Sequence, residues 1–190
     1  MMNLRSIVTI ATVLLLLIFA CEKPEEEQKK TASSIKKILF TSNRDGNFEL
    51  YLVDSDGTNL TNLTNTDNFQ EMRAKFSPDG GQILYSGDGE EGWGLYVMDA
   101  DGQNRRNLSL QMVSQDGKYS PDGSLIVYTV QTSYTNASEE IYIINVESGL
   151  EINLTNNSFD DSGPAFSPDA SKIVFTSNRD GDYDIYIMNV

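Results

Sequence analysis

The chain has 190 residues, with 14 Lys and Arg against 28 Asp and Glu, a formal net charge of −14, and no histidine. Without imidazole there is no Ser-His-Asp or Cys-His nucleophile pair, no His metal site and no near-neutral His switch, which leaves carboxylate, Lys or Tyr chemistry. So acidic a surface repels phosphate backbones and anionic membranes, so nucleic acid is not an expected partner, while 39% apolar residues suffice for a folded core.

Residues 1–20 read as an export signal. Arg5 supplies a positive start, and residues 7–19 form a mostly apolar run too short to span a bilayer comfortably. The only cysteine follows it in Ile18-Phe19-Ala20-Cys21, which resembles a bacterial lipoprotein cleavage box. That resemblance implies lipidation of Cys21, membrane contact through the lipid alone, and a place in the cell envelope, on the periplasmic side or at the outer membrane. A free or buried thiol is the alternative at this position. Residues 21–35 carry Pro24, the acidic run Glu25 to Glu27 and Lys29-Lys30, with little to bury, and are expected to be a flexible tether.

From residue 36 to residue 190 the sequence repeats itself. Ser-Pro-Asp occurs at Ser77, Ser120 and Ser167, spaced by 43 and 47 residues. Tyr51, Tyr96, Tyr142 and Tyr186 sit in strand-like runs at intervals of 45, 46 and 44, and Asn62, Asn107 and Asn153 open Asn-Leu-Thr/Ser triplets at 45 and 46. Each copy reads as four short antiparallel strands, A to D. Strand A ends near Phe76, Tyr119 and Phe166; Ser-Pro-Asp-Gly then makes a type I turn, because Pro presets φ and Gly tolerates the exit geometry. Ala170 replaces that Gly in the last copy, so its turn is expected to differ slightly. Strand B is rich in Ile, Val and aromatics, Asp45-Gly46 and Asp180-Gly181 mark B-to-C hairpins, and strand C carries the repeat tyrosine.

Strands B and C are apolar at successive positions, so both faces of each small sheet must be covered. A period near 45 residues with four strands predicts an all-β fold: a β-propeller of four-stranded antiparallel blades. The motifs FSPDG, FTSNRDG, IYIMN and NLT are similar to the WD-like repeats of the TolB-type propeller superfamily, found in periplasmic TolB and in propellers of prolyl oligopeptidase-like peptidases. The first copy begins at strand B and the last reaches only strand C, giving 14 strands, or three and a half to four blades. A fragment of a longer propeller is the favoured explanation over a four-bladed ring with a defective seam or an open array completed by a partner.

In such blades the D-to-A and B-to-C connections lie on one face of the disc. They bring Phe69, Glu71, Asp88, Glu90, Glu91, Trp93, Tyr134, Phe159, Asp160 and Asp161 there as a candidate recognition surface, with Tyr134 in a three-residue insertion of the third copy. Phe69 and Phe159, at equivalent positions, alternatively plug gaps between blades. Asp54, Asp56 and Asn59, like Asp99, Asp101 and Asn104, loosely follow calcium-loop spacing but lack the bidentate Glu, and read as turns. No catalytic residue, metal or cofactor is expected. The resemblance implies a non-catalytic scaffold for an envelope protein or a peptidoglycan-associated partner. The alternatives are a glycan-binding or carboxylate-based carbohydrate-active propeller, or the propeller of a longer peptidase-like enzyme.

Overall fold

A computed structural model describes residues 36–89, 92–109, 114–131 and 138–190, with side chains from residue 117 onward in the third of these segments. The expectations for residues 1–35, including Cys21, and for Glu90, Glu91 and Tyr134 lie outside the described residues.

Among the described residues, fourteen strands form four antiparallel sheets. The first holds β1 (Lys37–Ser42), β2 (Glu49–Asp54) and β3 (Thr61–Asn62); the second holds β4 (Glu71–Phe76), β5 (Gln82–Gly87), β6 (Gly94–Asp99) and β7 (Arg106–Asn107). The third holds β8 (Ser114–Tyr119), β9 (Leu125–Gln131), β10 (Glu139–Asn145) and β11 (Glu151–Asn153), and the last β12 (Asp161–Phe166), β13 (Lys172–Ser177) and β14 (Asp184–Asn189). Strands pair strictly in chain order, as the blade pattern requires, and the outer D strands β3, β7 and β11 are only two or three residues long. In every blade the register places the B-strand aromatic opposite the C-strand tyrosine: Phe40 with Tyr51, Tyr85 with Tyr96, Tyr128 with Tyr142, Phe175 with Tyr186, ring centroids 5.5 to 6.1 Å apart.

Three apolar clusters lie between successive sheets. Leu50, Leu63, Ile83, Tyr85 and Met98 join the first two; Leu84, Leu95, Val97, Ile126 and Tyr128 join the second to the third; Val127, Ile141, Ile143, Ile173 and Phe175 join the third to the last. Each inner strand thus contributes its alternate side chains to two different cores, which is why its sequence shows no polar alternation. The end sheets break this rule. Ile83, Ile126 and Ile173 are each 0% exposed, yet the equivalent Ile38 of the first sheet is 49% exposed. Ile185 and Ile187 of β14 are 76% and 66% exposed, where Leu95 and Ile141, in the place of Ile185, are 0%. The four sheets therefore form an incomplete propeller.

The recurring FTSNRDG motif has a physical origin beyond its turn. Arg179 lies over both Phe175 and Tyr186, 5.1 and 4.6 Å from their centroids, while its Nε donates to Ser177 Oγ and the Tyr186 hydroxyl donates to Asp180. Arg44 repeats this on Phe40 and Tyr51, whose hydroxyl donates to Asp45. The cation over two neighbouring rings locks the B-to-C connection onto its own sheet.

The Ser-Pro-Asp turns repeat with little variation. Gly80, Gly123 and Ala170 each donate their N–H to the serine carbonyl three residues back at 2.9 Å, and each serine hydroxyl donates to the turn aspartate at 2.5 or 2.6 Å. The serine and neighbouring backbone N–H groups hold Asp79 and Asp122 below the usual carboxylate range and Asp169 at about 2. The expectation of a different last turn is corrected: the interlocking bonds force Ala170 to φ +59°, beside Gly80 at +74° and Gly123 at +77°. A Cβ in the left-handed region is unfavourable. Ala170→Gly is accordingly expected to stabilise the chain by about 1 kcal/mol, read as a higher urea midpoint with unchanged slope.

Candidate functional site

The B-to-C and D-to-A connections meet on one face through side-chain bonds to backbone. Between the first two sheets, Asn47 Nδ2 donates to the carbonyls of Phe69 and Thr66 at 2.6 and 2.9 Å, and Glu71 N donates to the Phe48 carbonyl at 2.7 Å. The Gln70 N–H donates to the Asp88 carboxylate, and Asp88 N returns a bond to the Gln70 carbonyl. At the last sheet Asp160 likewise ties its D-to-A connection to the B-to-C connection: it accepts from Asn178 Nδ2 at 3.2 Å and from the Tyr183 hydroxyl at 3.0 Å, and its N–H donates to Asn178 Oδ1. Loops tied in this way form a firm rim rather than free tips.

The described candidate residues are placed differently on this rim. Phe69, Glu71 and Asp88 line one cleft of about 680 Å³, together with Tyr85, Tyr96, Arg105 and Asn107. Phe159 is exposed and Trp93 half-buried. Glu71 and Asp161 are buried and do not present a carboxylate to a partner, which corrects their place on the recognition surface. Each opens a strand A, and each is held by the D-to-A loop before it: Thr66 Oγ1 donates to Glu71 at 3.0 Å, and Asn157 Nδ2 donates to Asp161 at 2.6 Å. Burial pushes the Glu71 carboxyl up, against the pull of Thr66 and Arg105. For Asp161 burial also pushes up, but hydrogen bonds from Ser177, Arg179 and Asn157 outweigh it and leave the group below the usual range.

Repeat alignment exposes a set that strand-by-strand reading missed. Phe48, Trp93 and Tyr183 each stand immediately before strand C, at 45- and 90-residue spacing. Phe48 and Tyr183 are both exposed, and Phe159 stands beside Asp160, which bonds the Tyr183 hydroxyl. The Asp-rich turns on the opposite face are self-contained: Asp54 pairs with Lys37 and accepts from Asn59 at 2.8 Å, Asp56 accepts from Thr58, and Asp99 accepts from Asn104 at 2.6 Å. Among the described residues no group of three or more Cys, Asp or Glu side chains is placed to hold a metal ion.

This arrangement defines the class: an open β-propeller whose B-to-C and D-to-A loops share one face. Its repeats belong to the TolB-type β-propeller superfamily. A family model described as the TolB beta propeller domain matches residues 118–190. A TolB homolog from Chlorobaculum tepidum is 30% identical over 152 residues, covering 80% of this chain and 24% of that protein. The solved TolB from Acinetobacter baumannii is 25% identical with a TM-score of 0.64, covering 81% of this chain and 38% of its own. A puromycin-hydrolyzing peptidase from Mycobacterium tuberculosis shares the fold at 16% identity and a TM-score of 0.68, over 81% of this chain and 26% of the peptidase. The chain spans about a quarter to a third of the length of the TolB homologs it matches.

Proposed function

We propose that this chain is a non-catalytic protein-binding propeller of the cell envelope, held to a membrane by lipid on Cys21 and presenting its loop face to an envelope protein or a peptidoglycan-associated partner. The observation that carries the reading is the aromatic position before strand C. Exposed Phe48 and Tyr183, with Phe159 nearby, project from a rim whose backbone is fixed by hydrogen bonds. Large aromatics on a rigid, polar-edged surface are the side chains that dominate protein interfaces. Similarity to TolB homologs supports the envelope setting. These 190 residues contain no histidine, so they carry no Ser-His-Asp triad of their own.

The test is cross-linking of the full chain in envelope extracts, beside a Phe48→Ala/Tyr183→Ala variant with an unchanged circular dichroism spectrum. Two aromatic contacts of ordinary interface weight predict a loss of captured partner of more than about tenfold. Equal capture by both proteins overturns the recognition face. Cys21→Ala is expected to move the chain from the membrane pellet to the soluble fraction; an unchanged distribution overturns the anchor.

A further inference from the structure

An arginine over a ring pair is built into the first and last blades and is missing from the second. Four residues after the B-strand aromatic stand Arg44, following Phe40, and Arg179, following Phe175, but Gly89 follows Tyr85. The serines that accept from the arginine Nε, Ser42 at 3.1 Å and Ser177 at 2.9 Å, give way to Gly87, and Asn43 and Asn178 between them give way to Asp88. One stretch of the second blade has thus lost its cation and gained an anion. The third blade's counterpart lies outside the described residues.

The surface that such a cation covers is kept. Tyr85 and Tyr96 stack with centroids 5.5 Å apart, as Phe40 and Tyr51 do at 5.6 Å beneath Arg44. A Cβ added to Gly89 would lie 3.4 Å from Tyr96 Cζ, so a side chain from this position would run onto that ring. Among the described residues no guanidinium or ammonium lies over Tyr85. The 680 Å³ cleft opens there instead, whereas the cavity beside Phe175, Arg179 and Tyr186 is about 180 Å³. The arginines in the cleft wall are committed elsewhere. Arg105 donates to the Leu63 and Thr64 carbonyls and offsets the charge of buried Glu71, and Arg106 donates to the Val146 carbonyl at 2.7 Å. Asp88 accepts the Gln70 N–H and, among the described residues, has no ion-pair partner. Asn107 Oδ1, in the same wall, is a buried acceptor with no donor.

We infer that this cleft receives the side chain of an arginine carried by a partner polypeptide, whose guanidinium takes the place over the second ring pair that Arg44 and Arg179 fill over theirs. The planar cation lies on Tyr85 and Tyr96, Asp88 supplies the counter-charge, and Asn107 Oδ1 accepts one of its five N–H groups. An unpaired carboxylate and a buried acceptor beside aromatic faces favour a donor-rich cation and disfavour an anion. The inference deepens the partner reading above by naming a side chain that the partner carries, and it rests on that reading only for the polypeptide origin of the arginine.

Saturation-transfer NMR on the full chain in mild detergent, with N-acetyl-arginine amide and its uncharged isostere N-acetyl-citrulline amide as probes, tests the cleft whether or not the rim aromatics capture a protein. Salt at about 0.15 M screens the general attraction of an acidic surface for cations. The arginine probe should bind, and the citrulline probe at least about tenfold more weakly, the factor expected for loss of one charged hydrogen bond. Gly89→Arg should abolish binding and raise the melting temperature, because the chain then supplies its own guanidinium; Gly89 has no positive φ to resist the change, and the nearest atom to its new Cβ, the Tyr96 hydroxyl at 2.9 Å, is the far end of a side chain. Asp88→Asn installs the residue that the first and last blades carry, keeps an acceptor for Gln70 N, and should weaken arginine binding by the same tenfold order. No binding of the arginine probe, equal binding of citrulline, or undiminished arginine binding by either folded variant overturns the proposal.

Discussion

Replacing Tyr128 with alanine is expected to lower the unfolding free energy by about 4 kcal/mol, the largest effect of any single truncation considered for this chain. Tyr128 is fully buried in the core between the second and third sheets, beside Leu84, Leu95 and Val97. Its ring lies 6.1 Å from Tyr142, and its hydroxyl donates to Glu151. Alanine removes the ring from both sheets at once and leaves a cavity that strands fixed by ladder bonds cannot collapse to fill. Since small domains are stable by only about 5–15 kcal/mol, much of the folded margin goes with it. Tyr128→Phe keeps the ring and should cost only about 1 kcal/mol. Urea titrations of both variants measure the difference; if alanine cost no more than phenylalanine, the inter-sheet core would not be what holds the blades together.

The second large effect concerns Asp161, and it depends on pH. Its side chain is fully buried and accepts from Arg179 at 2.9 Å and from Asn157 at 2.6 Å, while Arg179 keeps about a third of its side chain in water. Asp161→Ala strands Arg179 and Asn157 and is expected to cost about 3 kcal/mol at pH 7, near the lower end for a broken buried pair, because the guanidinium can rehydrate. The folded-state pKa of Asp161 lies below the unfolded value. Its stabilisation is therefore present in full above the unfolded carboxylate pKa, about 3.9, and is lost as pH falls through the folded value. The gap between the parent and Asp161→Ala should accordingly be constant from about pH 7 to 5 and close under acid. Glu71 has the opposite sign, since its raised pKa makes ionisation unfavourable to the fold, and acid relieves that cost. A gap that widened toward low pH would refute the assignment of Asp161 as an ionised partner of Arg179.

The strand order was legible because each turn writes its chemistry into a few residues: Pro and Gly around the A-to-B turn, Asp-Gly after strand B, and the C-strand tyrosine opposite the B-strand aromatic. Ala170 misled because local preference argues against a positive φ, whereas the serine and aspartate bonds on either side impose it. Glu71 and Asp161 looked like surface acids because they follow polar loops; their burial comes from Thr66, Asn157 and Arg179, which only the folded chain brings to them. The cleft beside the second blade was half visible. Phe69 and Asp88 lie on loops and drew notice, but Tyr85 and Asn107 belong to strands whose facing is set by the sheet before them. Gly89 in place of Arg44 and Arg179, and Phe48, Trp93 and Tyr183 before strand C, were available to repeat alignment and needed no structure at all.

The apolar interfaces are shared unequally among the described sheets. Opening the third sheet forfeits two apolar interfaces, but opening the last forfeits one, between Ile173, Phe175 and their neighbours on β9 and β10. In a stack where each unit touches only those beside it, loosening starts where the fewest contacts are at stake and runs inward. Among the four described sheets the middle two, each gripped on both faces, are therefore the part expected to open last.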